Sequence, residues 1–371
     1  MFQCNLVRCK DSLHCKPQSR TATILYQSIA NHKESIKVGV IIPLTGTASY
    51  LTEMRDALIL AKDDINKYGG INGREVELLI RDSESNANVG ITLFQELESS
   101  FHPLFYISAL SSVSVAVSPL AEESKVVLIG LATATQNFTI GKQWTYRYYY
   151  DSKAEVAPTM KVLGDLRVSS LGMIYLNDSY GKPIYGLIHD DFEGTGGSIK
   201  GISYPSNETD FSQEISYVSG CEAIYVVGLR THFPYFFTNL NASGYQGHVL
   251  VSSPASSPSI TSMPEAEGAY VSAPLFYNPN YLLAASASKE YEERYNTQPS
   301  HQAATGFDIL RMIVGLLEDH EISRDSLKNI LDRSRAYSGT LGDIVTTEGS
   351  HEMNFILYPA IIERGGSLKY L

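Results

Sequence analysis

The sequence predicts an α/β protein of two Rossmann-like lobes, each a parallel sheet with helices on both faces. Three observations predict it. A chain of 371 residues exceeds what one compact core usually takes. From Ile36 onward, short β-branched runs alternate with stretches of helical period, the rhythm of a parallel sheet covered by helices. Near Leu171 the rhythm restarts, as a second unit of the same kind would.

The first strand is Ile36 to Pro43, a run without polar alternation, which suits a strand buried on both faces. The turn Leu44 to Ala48 follows, and Met54 to Lys67 then places Ala57, Leu58, Ala61 and Ile65 on one helical face. Gly69 and Gly70 stop that helix in left-handed positions that glycine tolerates. Next come a strand at Val76 to Arg81, a helix near Ala87 to Ser99, a strand at Leu104 to Ala109, a helix near Ser112 to Ser124 and a strand at Val126 to Leu131. The second run opens with the strand Leu171 to Leu176 and the helix Gly181 to Phe192. It continues with the strand Ile199 to Tyr204, a helix with Asp210 as N-cap, and the strand Ala223 to Val227. Two further helices are expected at Tyr281 to Tyr295 and Ala303 to Glu318.

The first residues differ from the body. Residues 1 to 36 carry five Lys/Arg against two Asp/Glu, whereas the whole chain has a formal net charge of -11. A balance this acidic, without a basic stripe, argues against a general nucleic-acid binder. Three of the four cysteines (Cys4, Cys9, Cys15) lie in that segment, leaving Cys221 alone in the body, so the fold is expected to owe nothing to disulfides. Their spacing offers too few ligands for a tetrahedral zinc, and His14 beside Cys15 cannot easily complete the set. The segment lacks the continuous apolar stretch of a secretory signal, and no stretch of the chain approaches the ~20 apolar residues of a membrane span. Residues 1 to 35 are expected to be a flexible extension dispensable for binding.

Several strings resemble the type I periplasmic binding proteins, particularly the branched-chain amino-acid-binding group of ABC importers. Ile36 to Gly46 is similar to the family's first strand and Ser/Thr-Gly turn. Asp64 to Gly73 looks like its D-I-N-x-x-G-G-I-x-G signature, and Arg81-Asp82-Ser83 resembles its acidic turn. Ser111-Ser112 and Ala132 to Thr135 resemble the two ligand loops of the first lobe. Asn177 to Gly181 looks like the D-x-x-Y-G turn, and Asp210-Phe211-Ser212 like the D-F-S helix start. The likeness covers residues 36 to 371 in consistent order. It implies three crossover segments, expected near Asp151, Pro274 and Thr340. Lobe 1 would then comprise 36–151 and 275–340, and lobe 2 would comprise 152–274 and 341–371.

Candidate binding residues follow from both routes. In open α/β sheets ligands bind beyond the carboxyl ends of the strands, where helix N-termini offer free N–H groups. Ser111 and Ser112 stand at such a place and suit a carboxylate; the alternative is that they only cap the helix. In the following loop a gapless match gives Ala132 and Ala134 the binding places, and a one-residue shift gives them to Thr133 and Thr135. The resemblance makes Tyr50 and Tyr180 the aromatic covers from the two lobes. The run Tyr146 to Tyr150 either lines the cleft or packs the hinge.

Two departures from the amino-acid-binding pattern shape the expected ligand. Ser253 stands where relatives put the acid that pairs the ligand ammonium, and Gly228-Leu229-Arg230-Thr231 stands where they put a second aromatic. Leu229 and Arg230 are therefore candidates, with Arg230 either a fork for an anion or simply a solvated side chain. A ligand with an acid or amide end and no obligatory ammonium is expected, unless Glu222, Asp178 or Glu53 supplies the missing charge.

No nucleophile elbow, metalloprotease helix, phosphate loop or dinucleotide fingerprint occurs, and the nine histidines lack ligand spacing. An enzyme is not expected, nor a cofactor or a metal. The implied function is an extracytoplasmic binding component that closes on a small amino acid, carboxylate or amide and delivers it to a membrane permease. The alternative is a sensing receptor of the same fold.

Overall fold

The computed structural model describes residues 34–277 and 282–371. The amino-terminal cysteines, the basic segment and the expected helix start at Tyr281 lie outside the described residues.

The first lobe opens on β1 (Ile36–Ile42), buried along almost its whole length as its unbroken apolar run requires. Helix α1 (Thr52–Lys67) buries Met54, Ala57, Leu58, Leu60, Ala61 and Ile65 on one stripe. It ends at Gly69 and Gly70, whose φ values of +100° and +68° lie in the left-handed region. Then follow β2 (Val76–Asp82), α2 (Ala87–Phe101), β3 (Phe105–Ala109), α3 (Ser111–Glu123), β4 (Val127–Leu131) and the short β5 (Thr145–Arg147). All five strands are parallel, in the order β2-β1-β3-β4-β5.

After a first crossing, α4 (Ser152–Asp165) opens the second lobe, capped by the Asp151 side chain on the Ala154 N–H at 3.1 Å. The run β6 (Ser170–Leu176), α5 (Gly181–Gly194), β7 (Ser198–Tyr204), α6 (Ser212–Val218), β8 (Ala223–Val227), α7 (Phe233–Ser243), β9 (His248–Val251), α8 (Pro258–Thr261) and β10 (Tyr270–Pro274) completes it. Its parallel strands repeat the first lobe's order, with the first strand between the second and the third. Asp210 accepts from the Ser212 N–H at 3.1 Å at the start of α6, although Phe211 occupies the N-cap position.

The chain then returns to the first lobe with α9 (Leu282–Tyr295), α10 (His301–Leu317) and α11 (Arg324–Leu331). Helix α10 is buried on nearly every side and crosses α1 so closely that a Cβ on Gly306 would sit 2.7 Å from the Met54 carbonyl oxygen. A hairpin of β11 (Arg335–Gly339) and β12 (Gly342–Thr346) follows. Finally β13 (Leu357–Ile362) and β14 (Leu368–Tyr370) join the second sheet antiparallel beside β10. That sheet is therefore a parallel core extended at one edge by two strands, β13 running against β10 and β14 against β13.

The third crossing is later than the one expected near Thr340. At Thr340 the chain only turns the hairpin, and the residues after it stay beside the first lobe. The Gly349 N–H donates to the Asp332 carbonyl at 2.7 Å, and the Arg147 N–H donates to the His351 carbonyl at 2.9 Å. The Met353 N–H donates back to the Arg147 carbonyl at 2.9 Å. Residues 341–353 therefore pair with lobe 1, and the passage to lobe 2 falls between Met353 and Leu357.

One buried carboxylate ties the first two crossings to the turn of the hairpin. Asp308 on α10 accepts from the Thr340 N–H at 2.9 Å, the Thr340 hydroxyl at 2.9 Å and the Tyr148 hydroxyl at 3.0 Å. The Thr340 carbonyl in turn accepts from the Tyr277 N–H at 2.9 Å, just beyond the end of β10. Burial pushes the Asp308 carboxyl up to about 6 despite these donors.

Candidate functional site

The two loops that close the carboxyl end of the first sheet are linked to each other. Leu110, with φ +77°, turns the chain from β3 into α3, and Ser111 becomes the first residue of that helix. The Ser111 hydroxyl accepts from the Ala134 N–H at 3.2 Å, which fixes the loop after β4 against the helix N-terminus. Ala132 takes φ +44° there. Thr133 turns inward: its hydroxyl lies 2.8 Å from Ser114 Oγ and donates to the Leu131 carbonyl at 2.8 Å. Of the two registers open in the sequence, the cavity wall is made by Ala132 and Ala134. Thr133 and Thr135 are buried away from it.

An inner cavity of about 20 Å³, room for about one water, lies between the lobes. Ser111, Leu110 and Tyr50 line it from the first lobe, Tyr180, Leu229 and Pro254 from the second, and Tyr149 and Tyr150 from the first crossing. The tyrosine run thus divides its work. Tyr149 and Tyr150 face the cavity, while Tyr146 and Tyr148 are buried on Asp332 and Asp308. Ser112 lies apart from the inner cavity and lines an outer one of about 440 Å³ at the cleft mouth, with Thr47, Glu84, Asp178 and Ser206. Leu110 and Leu229 border both cavities.

Arg230 is neither a free anion fork nor a solvated side chain. It is 5% exposed and crosses the cleft to pair with Glu53 of α1. It also donates to Ser300 Oγ at 2.9 Å and Gln302 Oε1 at 2.6 Å, and its guanidinium stacks 4.5 Å from the Tyr50 ring centroid. Beside it the Thr231 hydroxyl donates to the Thr47 carbonyl at 2.8 Å, a second bond between the lobes. The cleft is therefore closed, and Tyr50 is half-buried under Arg230, its hydroxyl pushed up to about 12 by burial.

Ser253 is fully buried, with its hydroxyl against that of Tyr150. Its N–H donates at 3.0 Å to Glu155 Oε1, an acid on the first turn of α4 that no motif or spacing singles out. The Tyr180 hydroxyl donates to the same oxygen at 3.3 Å. Oε2 of Glu155 has no hydrogen-bond partner, and burial pushes the carboxyl up to about 7. The three acids considered as substitutes for the family's ammonium partner are committed elsewhere. Glu53 holds Arg230, Asp178 caps α5 through the Tyr180 and Gly181 N–H groups at 2.8 and 2.9 Å, and Glu222 holds the Ser169 N–H at 2.7 Å before β6.

The motif residues outside the cavity have structural work. Asp82 accepts from the Leu44 and Glu84 N–H groups, both at 2.8 Å, fixing the loop after β1. His301 is buried between Tyr149 and Ser256, and burial together with Arg230 holds it down at about 3, so it is neutral. His232 is likewise buried, against Tyr204 and the Ser206 carbonyl. Among the described residues no group of acids, histidines and cysteines is placed to hold a metal ion, and no helix is long and apolar enough to cross a membrane.

Comparison with known proteins fits this geometry. The sequence profile of the family described as "Periplasmic binding protein" matches residues 35–367. Among curated relatives, Leu/Ile/Val-binding protein homolog 3 of Brucella melitensis is 26% identical over 239 residues, covering 62% of this chain and 63% of that protein. The chemotactic signal transduction system substrate-binding protein BasB of Halobacterium salinarum is 23% identical over 169 residues, 42% of this chain and 41% of that protein. These matches thus span about two fifths to three fifths of the relatives' length. Among solved structures, the leucine-binding protein LivK of Thermotoga maritima superposes with a TM-score of 0.81 at 21% identity, covering 91% of this chain and 97% of that one. A solute-binding protein of an ABC transporter from Rhodopseudomonas palustris, in complex with 3,4-dihydroxybenzoic acid, gives 0.82 at 17% identity, covering 91% and 96%. The family is one of solute-binding proteins and not of enzymes. A profile matching nearly all of the described chain, on a fold of two like-ordered sheets closed over a cavity, establishes that the chain belongs to the periplasmic binding protein family, with the two-lobed fold that the leucine-binding LivK structure also has.

Proposed function

We propose that this protein is the extracytoplasmic binding component of an importer, capturing a small carboxylate ligand with an apolar or aromatic body between its lobes and presenting the closed form to a membrane permease. The observation that carries the reading is the cavity between the lobes. One end is polar, where Ser111 and the α3 N-terminus offer a hydroxyl and N–H groups suited to a carboxylate. The remaining wall is built from Tyr50, Tyr149, Tyr150, Tyr180 and Leu229. Such a lining takes an apolar body and fixes it at one charged end. A ligand larger than water enters as the lobes part, because the closed cavity is small. Relatives of the fold support the ligand class, one binding leucine by name and another holding an aromatic carboxylate.

A second reading, a sensing module in which closure signals to a receptor, is favoured by the similarity to a chemotactic substrate-binding protein. A thermal-shift screen of aliphatic and aromatic amino acids, their deaminated acids and the corresponding amides tests the ligand class. A closing ligand at 100 times its Kd raises stability by about 2.7 kcal/mol. A panel in which sugars or cations alone shift the melting point would contradict the reading. Co-purification with a permease or with a chemoreceptor separates the two roles.

A further inference from the structure

We propose that Glu155 is the acid that meets a ligand's ammonium group in this cleft, making the site selective for amino acids over the same acids without the amino group. This deepens the carboxylate-binding reading and rests on it. Ser253 occupies the place where the resemblance puts the ammonium-pairing acid, and its N–H holds the Glu155 carboxyl at 3.0 Å. The charge absent from that position is thus supplied from the first turn of α4 to the same neighbourhood.

The carboxyl lies directly behind the cavity wall. Its Oε1 accepts from the hydroxyl of Tyr180, which lines the cavity, and Ser253 precedes Pro254, which lines it too. Its other oxygen is buried without a donor. A buried acceptor left open is costly unless some partner supplies the donor, and an ammonium brings up to three. The titratable groups that face it are Tyr150 from the first crossing, Tyr180 from the loop before α5, Tyr225 from β8 and, further off, Tyr149. None of these supplies a positive charge. An ammonium arriving there takes Glu155 as the carboxylate. Burial holds the group near 7 against the hydrogen bonds that lower it, so binding of an ammonium below that pH expels its proton to solvent.

Calorimetric titration of the full chain at pH 6, in two buffers of different ionisation heat, with leucine and with 4-methylpentanoate, tests the assignment. The expected result is leucine binding about tenfold or more tighter, with proton release, and 4-methylpentanoate binding without it. Glu155→Gln is expected to cost leucine about tenfold or more while changing 4-methylpentanoate by less than about threefold. Equal affinities, leucine binding without proton release, or equal losses for both probes in the variant would each overturn the proposal. The last of these is what a residue that merely holds Tyr180 and Ser253 would give. The proton count needs only the unaltered protein, so a poorly folding variant does not decide the matter. Binding of 4-methylpentanoate alone overturns the role of Glu155 and leaves the carboxylate-binding reading intact. Binding of neither probe, nor of phenylalanine and 3-phenylpropanoate in their place, overturns both.

Discussion

Arg230 and Glu53 form an ion pair whose two members belong to different lobes, the arginine following β8 and the glutamate on α1. The pair exists only when the cleft is closed. Ser300 and Gln302, at the start of α10, complete the socket that receives the guanidinium, so closure is latched by the protein's own side chains.

Breaking the latch is expected to open the protein. Exposed ion pairs are worth little, but truncating one partner of a buried, hydrogen-bonded pair costs about 3–5 kcal/mol. Here the lobes can part and return the survivor to water, so the cost appears as a shift toward the open form. Arg230→Ala should therefore enlarge the radius of gyration of the ligand-free protein in solution scattering and weaken ligand binding by about tenfold or more. An unchanged scattering profile would show that the pair does not control closure.

The raised Glu155 carboxyl gives a pH signature in stability. An acid held at about 7 when folded and near 4.5 when unfolded keeps its proton in the native state after the unfolded chain has lost it. Its contribution is thus favourable below about 4.5 and is lost as pH rises to 7, by about 3 kcal/mol at most. Glu155→Gln should gain about 1–3 kcal/mol relative to the unaltered protein between pH 5 and pH 8, read from denaturant unfolding at each pH. A difference independent of pH would mean that the carboxyl is already ionised at pH 5.

Asp308 is expected to be the residue most costly to remove from the hinge. Asp308→Ala leaves the Thr340 N–H and hydroxyl and the Tyr148 hydroxyl without their acceptor, a loss of about 2–4 kcal/mol. Denaturant unfolding measures the total. Hydrogen exchange at the Thr340 and Leu341 amides shows whether the loss is local, and unchanged protection there would contradict the assignment.

The two glycines that end α1 are expected to differ. A Cβ on Gly69 meets nothing within 4 Å, whereas one on Gly70 would lie 1.9 Å from the Arg74 carbonyl oxygen. Both need left-handed φ, so Gly69→Ala should cost about 1 kcal/mol. Gly70→Ala should cost several times more, because backbone must move. Equal melting points for the two variants would refute this.

Much of the fold was legible in the sequence because parallel strands buried on both faces leave continuous apolar runs, as at Ile36–Ile42 and Ala223–Val227. The helix stops were legible too, since Gly69 and Gly70 sit where left-handed backbone is required. The late third crossing was not. Residues 347–353 carry no period of their own and are held to the first lobe by backbone bonds to Arg147 and Asp332 that no local pattern encodes.

The same division runs through the candidate site. Ser111 is picked out by its place at a strand end and helix start, and Ala132, Ala134 and Tyr180 by resemblance to the family; the structure brings the four around one cavity. Only the tertiary structure decided that Arg230 answers Glu53 across 177 positions of sequence, and that Glu155 stands behind Ser253 at a separation of 98. Charge pairing and burial depend on distance in space. A lone glutamate on the first turn of a helix looks in sequence like any favourable partner of the helix dipole, until packing removes it from water and leaves one of its oxygens without a donor.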